Sequence, residues 1–214
     1  MFLKSAKEDV MKEKTLFSGN LLKKIIVIVA GSIIAAYGIT LALYAGFGGA
    51  TLAVLWQGIS QTFHISMGMA SFAVAVVMIL FALFYDRKQI HIGTILYQVV
   101  YSVCVDLFAN CHVYSEYLWL NLLIMLLGIV LFAAGTGLYA SASLGRGSYE
   151  ALTFALAEKN NWQVKTVRMV LDALMVIIGV LLGGKFGICT VVTILIPGPI
   201  IQFVNGKAKK ALRI

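Results

Sequence analysis

Charge is what this chain has least of. Only 12% of its 214 residues are Asp, Glu, Lys or Arg, against roughly a quarter in a soluble domain. None lies between Ile25 and Tyr85, a run of 61 residues. A soluble fold of this size has no interior large enough to hide so much apolar surface. Two prolines exclude a proline-rich or collagen-like chain. Three cysteines (Cys104, Cys111 and Cys189) are odd in number and lack CxxC spacing, which excludes a disulfide framework and a zinc signature. Bases outnumber acids by 17 to 9, but the excess collects at the chain ends and in short loops. That distribution points to cytoplasmic retention of those segments rather than to nucleic acid. P-loop, HExxH, dinucleotide and Ser-His-Asp signatures are all missing. His64, His91 and His112 lie far apart. The sequence therefore predicts no enzyme, cofactor, metal site or nucleic-acid partner, but an all-α integral membrane protein in contact with the lipid bilayer.

What is present is a series of apolar runs. A bilayer core of about 30 Å needs roughly 20 apolar residues per helix. Ile25–Ala45, Ser66–Tyr85, Thr94–Ala109, Tyr117–Ser143, Val164–Leu182 and Ile188–Val204 meet or approach that length. Ala50–Phe63 and Tyr149–Asn160 are too short. The order is long, short, long, long, and then the same again. The two glycine clusters, Gly46-Phe47-Gly48 and Gly145-Arg146-Gly147, match at an offset of 99. An internal duplication follows, with residues 25–109 as one repeat and 110–204 as the other. A basic N-terminal tail (1–24) and a basic C-terminal tail (205–214) flank them. The first 20 residues mix lysines with acids and lack an apolar signal core, so the first apolar run reads as an uncleaved span.

Counting positive charges sets the topology. With six spans, two short interfacial or re-entrant helices and both termini inside, sixteen Lys and Arg face the cytoplasm and only Lys185 faces out. With eight spans the division is thirteen to four. The positive-inside bias favours six. Three crossings per repeat then place the two repeats in opposite orientations, a plan common among secondary transporters. The expected location is the inner (plasma) membrane.

The stretch Gly135-Thr-Gly-Leu-Tyr-Ala-Ser-Ala-Ser-Leu-Gly-Arg-Gly-Ser-Tyr-Glu150 is followed by Val167-Arg-Met-Val-Leu-Asp172, the Gly-Gly-Lys-Phe-Gly run ending at Gly187, and Ile196-Pro-Gly-Pro-Ile-Ile-Gln202. Together they resemble the second half of the bacterial YczE/YyaS/YitT family. The resemblance covers about Ile25 to Val204. It implies a multi-pass bacterial inner-membrane protein, and it implies no particular activity. Where the family usually opens the short helix with a Pro-x-Asp start, this chain has Glu150 without the proline in the second half and Thr51 in the first.

Ionisable groups inside a membrane cost about 2.5–3.5 kcal/mol each at a helix centre on insertion scales, so the few present here are candidates. Arg168 and Asp172 are four apart and share one helix face. They read either as an interior substrate- or proton-linked pair or as a local salt bridge near the cytoplasmic end. Glu150 sits in the first turn of the second short helix, where its charge complements the helix dipole. It can also bind a cation or proton, or pair with Arg146 or Arg168. Arg146 and the glycine clusters make an anion-favouring helix start, unless they serve only as tight turns. Tyr97, Gln98 and Tyr101 line one side of their helix, and Trp56-Gln57 sit on the first short element. These read either as solute-binding between the halves or as interfacial aromatics and interhelical hydrogen bonds. The interfacial reading is favoured for Trp56, Trp119 and Trp162, and Asp106 reads as an interfacial carboxylate. Pro197-Gly198-Pro199 breaks the last helix. The reading is a small-solute permease with Glu150, Arg168, Asp172, Arg146 and Tyr97 as substrate-binding residues, in a chain that can form a homo-oligomer. The alternative is a non-transporting accessory or regulatory scaffold.

Overall fold

A computed structural model describes residues 2–87, 90–111 and 114–212, with residues 2–20 described by their backbone alone. Lys88, one of the bases counted above as cytoplasmic, and His112 lie outside the described residues. Among the described residues there are nine α-helices and no strand. They are α1 (Phe2–Leu43), α2 (Thr51–Phe63), α3 (Met67–Tyr85), α4 (Ile92–Phe108), α5 (Leu118–Ser141), α6 (Ser148–Asn160), α7 (Val164–Leu181), α8 (Ile188–Leu195) and α9 (Pro197–Leu212).

Every expected span is helical, with its ends moved by a few residues. The last one, Ile188–Val204, is broken at Pro197 as expected, into two helices bent by 44°. Pro197 lacks an N–H and its ring clashes with the preceding turn, so the first helix stops at Leu195. The segments read from sequence as tails continue the helices, α1 from Phe2 and α9 to Leu212. Three helical segments, Leu21–Leu43, Met67–Tyr85 and Leu118–Ser141, are long and apolar enough to cross a bilayer alone, and the bent α8–α9 pair makes a fourth. Large apolar side chains point outward along these helices, among them Phe84 at 79% and Leu118 at 72% exposure. On a water-soluble protein such a continuous apolar surface would be an association site. Here it is the surface that meets lipid.

The core is a glycine seam between α1 and α5. A Cβ on Gly38 would stand 2.3 Å from the Phe132 nitrogen, and one on Gly31 would stand 2.7 Å from the Gly135 oxygen. From the other side, Gly128 meets Ala42 and Gly38, and Gly135 meets Ala35 and Gly31. The two helices run antiparallel with backbone on backbone. Lipid tails give helices no hydrophobic reason to associate, so close backbone approach through small residues supplies the van der Waals contact instead. Around this seam α4 packs on α1 and α9 on α5, while α2 pairs with α7 and α3 with α6.

Local geometry recurs at an interval of 97 residues in the glycine turns and short helices and 96 at the starts of α4 and α8, rather than the 99 read from the glycine clusters. Gly46 and Gly48 take positive φ of 90° and 86°, and Ser143 and Gly145 take 54° and 122°. His64 ends α2 in the left-handed region with φ 53°, and Asn161 ends α6 with φ 54°. The Cys189 N–H donates to the Phe47 carbonyl, as the Gly93 N–H donates to that of Leu144. The Thr94 hydroxyl donates to the Arg146 carbonyl at 2.6 Å and accepts from the His91 N–H. The Thr190 hydroxyl donates to the Gly49 carbonyl at 2.6 Å and accepts from the Gly187 N–H. Each threonine thus caps its own helix and ties it to the loop of the other half of the chain. The 99 offset failed because it matched glycines by identity. Ser143 adopts the conformation that Gly46 adopts in the first half, so the equivalent turn carries a different residue.

Candidate functional site

The short helices decide where the site forms. Each has 13 residues, about 20 Å of helix, too little to cross the hydrocarbon core. The Thr51 hydroxyl at the start of α2 donates to Asp172 in the middle of α7, and Thr62 near its end donates to the Leu182 carbonyl. Helix α2 therefore runs alongside the second half of α7, from the interior to the surface. Helix α6 does the same beside α3. It begins at the residues that share a cavity with Ala75, and its Lys159 ends 4.9 Å from the Tyr85 ring centroid. The first turns of both helices meet inside the protein.

They meet at a cavity of about 100 Å³, lined from α2 by Thr51 and Trp56, from α6 by Ser148 and Glu150, and from α4 by Tyr97 and Tyr101. That is room for about three waters. Many of its wall positions come in pairs 97 apart, such as Thr51 with Ser148 and Ala53 with Glu150. Arg168 likewise stands 97 residues after Ser71. The charged member of each unequal pair comes from the second half.

The five residues singled out from sequence fall into three layers. Glu150, Arg168 and Tyr97 line the cavity itself. Asp172 is buried directly behind the wall and accepts hydrogen bonds from Tyr149 at 2.7 Å and from Thr51 at 2.8 Å. Its carboxylate thus serves two hydroxyls, while the Arg168 guanidinium stands over the Tyr149 ring, 5.4 Å from its centroid. Arg146 lies farther out, in a wider vestibule of about 700 Å³ with His91, Asn205 and Lys209. Its guanidinium stacks on Phe154 at 3.5 Å. Glu150 belongs to both spaces, as do Thr136, Tyr139, Gly147 and Ile201. This shared layer is the partition between vestibule and cavity. The Glu150 carboxylate folds back over its own helix start, so that a Cβ on Gly147 would come within 2.5 Å of Oε2.

Tyr97 is buried between two other tyrosines, stacked on Tyr139 at 4.1 Å and on Tyr101 at 5.4 Å. Trp56 meets Tyr101 edge-on at 6.0 Å. Trp56 was expected at the membrane interface and is instead 7% exposed, unlike Trp119 and Trp162, each at 61%. The difference comes from α4. A tryptophan on a short helix reads the same in sequence whether lipid headgroups or a tyrosine from another helix lie beside it. A second polar chain runs away from the cavity, from Ser148 to Gln98 at 3.3 Å, then to Ser102 at 2.9 Å and Ser71 at 3.0 Å.

Asp106, read from sequence as an interfacial carboxylate, has a partner close in space. It is the external cap of α3, accepting from the Gly68 N–H at 2.6 Å and the Ser66 hydroxyl at 2.5 Å, while Ser66 accepts from the Met69 N–H. Helix N-terminal donors need such partners. Asp106→Ala is therefore expected to cost about 1–2 kcal/mol, measured by reversible unfolding in mixed micelles, with the cavity untouched.

With this geometry in hand, residues 22–206 match a family described as a "Family of unknown function (DUF6198)". The chain belongs to that family. Among its relatives is the "Uncharacterized membrane protein YczE" of Bacillus subtilis (strain 168), 27% identical over 175 residues, which are 81% of each chain. An "Uncharacterized protein" of Haemophilus influenzae (strain ATCC 51907 / DSM 11121 / KW20 / Rd) is 27% identical over 165 residues, 76% of this chain and 74% of its own. The "Uncharacterized protein YyaS" of Bacillus subtilis (strain 168) is 21% identical over 175 residues, 80% of this chain and 87% of its own. No solved structure matches the chain. The YczE/YyaS kinship and the apolar helices make this DUF6198 member a membrane protein.

Proposed function

We propose that this DUF6198 protein is a small-solute permease of the bacterial inner membrane, built as two inverted repeats of three spans with both termini in the cytoplasm. The observation that carries this reading is the meeting of two half-length helices at one polar cavity between the halves of the chain. Discontinuous helices that end at a central site recur in transporters built from inverted repeats. The recurrence of turns 97 residues apart, and of caps and reciprocal loop contacts 96 apart, supports the duplication. The positive-inside count supports the orientation. Rocking of one repeat against the other would open the cavity alternately to the two sides, with the Glu150 layer as the cytoplasmic partition.

Orientation is tested by labelling. A cysteine at Arg87 is expected to react with an impermeant maleimide only after the cytoplasm is exposed, and one at Lys185 to react in intact cells, in a chain whose own three cysteines are replaced. Reaction at Arg87 from outside the cell would reverse the orientation and remove the inverted plan. Function is tested by reconstituting the full chain into liposomes and following solute flux. Glu150→Gln, which alters the partition, and Asp172→Asn, which weakens the hydrogen bonds of Thr51 and Tyr149 behind the wall, are expected to lower flux by about tenfold or more. Full flux of a proven substrate in both variants would take the two carboxylates out of the mechanism.

A further inference from the structure

Hydrogen-bond donors outnumber acceptors at the cavity. Helix α2 begins at Thr51 with no side-chain cap, and α6 begins at Ser148 with none. The first three N–H groups of an α-helix have no partner within it. On α2 they belong to Thr51, Leu52 and Ala53, and on α6 to Ser148, Tyr149 and Glu150. All six residues line the cavity. Two buried side chains add to them independently. The Trp56 indole N–H and the Tyr101 hydroxyl have no hydrogen-bond partner, although the residues are only 7% and 3% exposed and both line this cavity. An unpaired buried donor is costly, and an indole N–H can only donate. The indole therefore calls for an acceptor from outside the chain, and the hydroxyl, which can donate to the same group, for a partner. Arg168 supplies the cation in the same wall.

The acids offset only part of this bias. Asp172 stands behind the wall and accepts from the Thr51 and Tyr149 hydroxyls. Glu150 lies on the side shared with the vestibule, where its carboxylate folds over the start of α6, so the uncovered helix start is that of α2. The vestibule itself carries Arg146, Lys209 and His91, with one Arg146 guanidinium nitrogen buried and unpartnered.

We propose that the cavity binds a small monovalent oxyanion, of the size of formate, acetate or nitrate, held by the N-terminus of α2, the Trp56 indole, the Tyr101 hydroxyl and Arg168. Three or four heavy atoms suit a space of about three water volumes, and positive helix ends favour a negative ligand. The proposal names the substrate class of the permease and rests on that reading for transport, though not for binding.

The test uses the full chain in detergent with Trp119→Phe and Trp162→Phe, which leaves Trp56 as the single indole reporter. Sodium formate, acetate and nitrate are titrated against sodium gluconate at equal ionic strength, with choline gluconate as the cationic probe. A thermal shift of the unsubstituted chain with the same salts is the second readout. The expected result is a saturable change in Trp56 emission, and a rise in melting temperature, with a small oxyanion but not with gluconate. Arg168→Gln is expected to weaken that binding by about tenfold or more. Glu150→Gln is expected to tighten it, because a like charge is removed. Neither readout responding in monodisperse protein would overturn the proposal. So would binding of choline that Glu150→Gln weakens. Liposome flux separates this proposal from the reading beneath it. Oxyanion binding with no flux of that anion sinks the permease and keeps the site. Flux of another solute without oxyanion binding sinks the site assignment and keeps the permease.

Discussion

Gly38→Leu is expected to yield no folded protein, and Gly38→Ala a folded protein destabilised by about 1–3 kcal/mol, the usual cost of overpacking a tight contact. The reason is the α1–α5 seam. Even a methyl group at position 38 would stand 2.3 Å from a backbone nitrogen and 2.6 Å from the Gly128 carbonyl oxygen. Backbone atoms cannot swing aside as a flexible side chain can, so the helices must separate, and the seam joins the two halves of the chain. Gly206→Ala is the control. Nothing lies within 4 Å of its added carbon, and replacing a helical glycine by alanine gains up to about 1 kcal/mol. Reversible unfolding in mixed micelles measures both. Gly38 and Gly128 face each other, so their alanine variants are expected not to add. A fully stable Gly38→Leu protein would show that the helices do not touch there.

Asp172→Ala is expected to destabilise the protein by about 2–4 kcal/mol, and Asp172→Asn by less than about 1 kcal/mol. Alanine leaves the buried Tyr149 hydroxyl without its 2.7 Å acceptor and the Thr51 hydroxyl without its 2.8 Å acceptor. Asparagine keeps a carbonyl oxygen for both. The pair of variants therefore separates the structural role of the side chain from that of its charge. Equal stability of Asp172→Ala and the unsubstituted chain would mean that the two hydroxyls find other partners. In the double variant Asp172→Ala, Tyr149→Phe much of the loss is expected to return, since removing both partners is less costly than orphaning one.

Much of this architecture could be read from residues. The absence of charge over Ile25–Tyr85 and the glycine-rich breaks mark where the helices begin and end, because lipid tolerates neither buried charge nor open backbone. Arg168, Glu150 and Tyr97 could be singled out because ionisable or polar groups in an apolar helix stand out against their neighbours. Three features could not be read. The glycine clusters align at 99 while the matching turns stand 97 apart, because Ser143 occupies a left-handed turn where glycine is the usual resident. With the interval corrected, the counterpart of Glu150 is Ala53 rather than Thr51, and Thr51 corresponds to Ser148. The partner of Asp106 lies 38 to 40 residues away at Gly68 and Ser66, and no local pattern couples such positions. Trp56 and Tyr101 reach each other only through tertiary packing. Their empty donors have no signature in sequence at all.

The head-to-head arrangement of α2 and α6 sets two like dipole ends against each other. Each helix start carries roughly half a positive charge. The Asp172 carboxylate stands at the start of α2 and the Glu150 carboxylate folds over the start of α6. The two carboxylates therefore let two like ends share one small space without mutual repulsion.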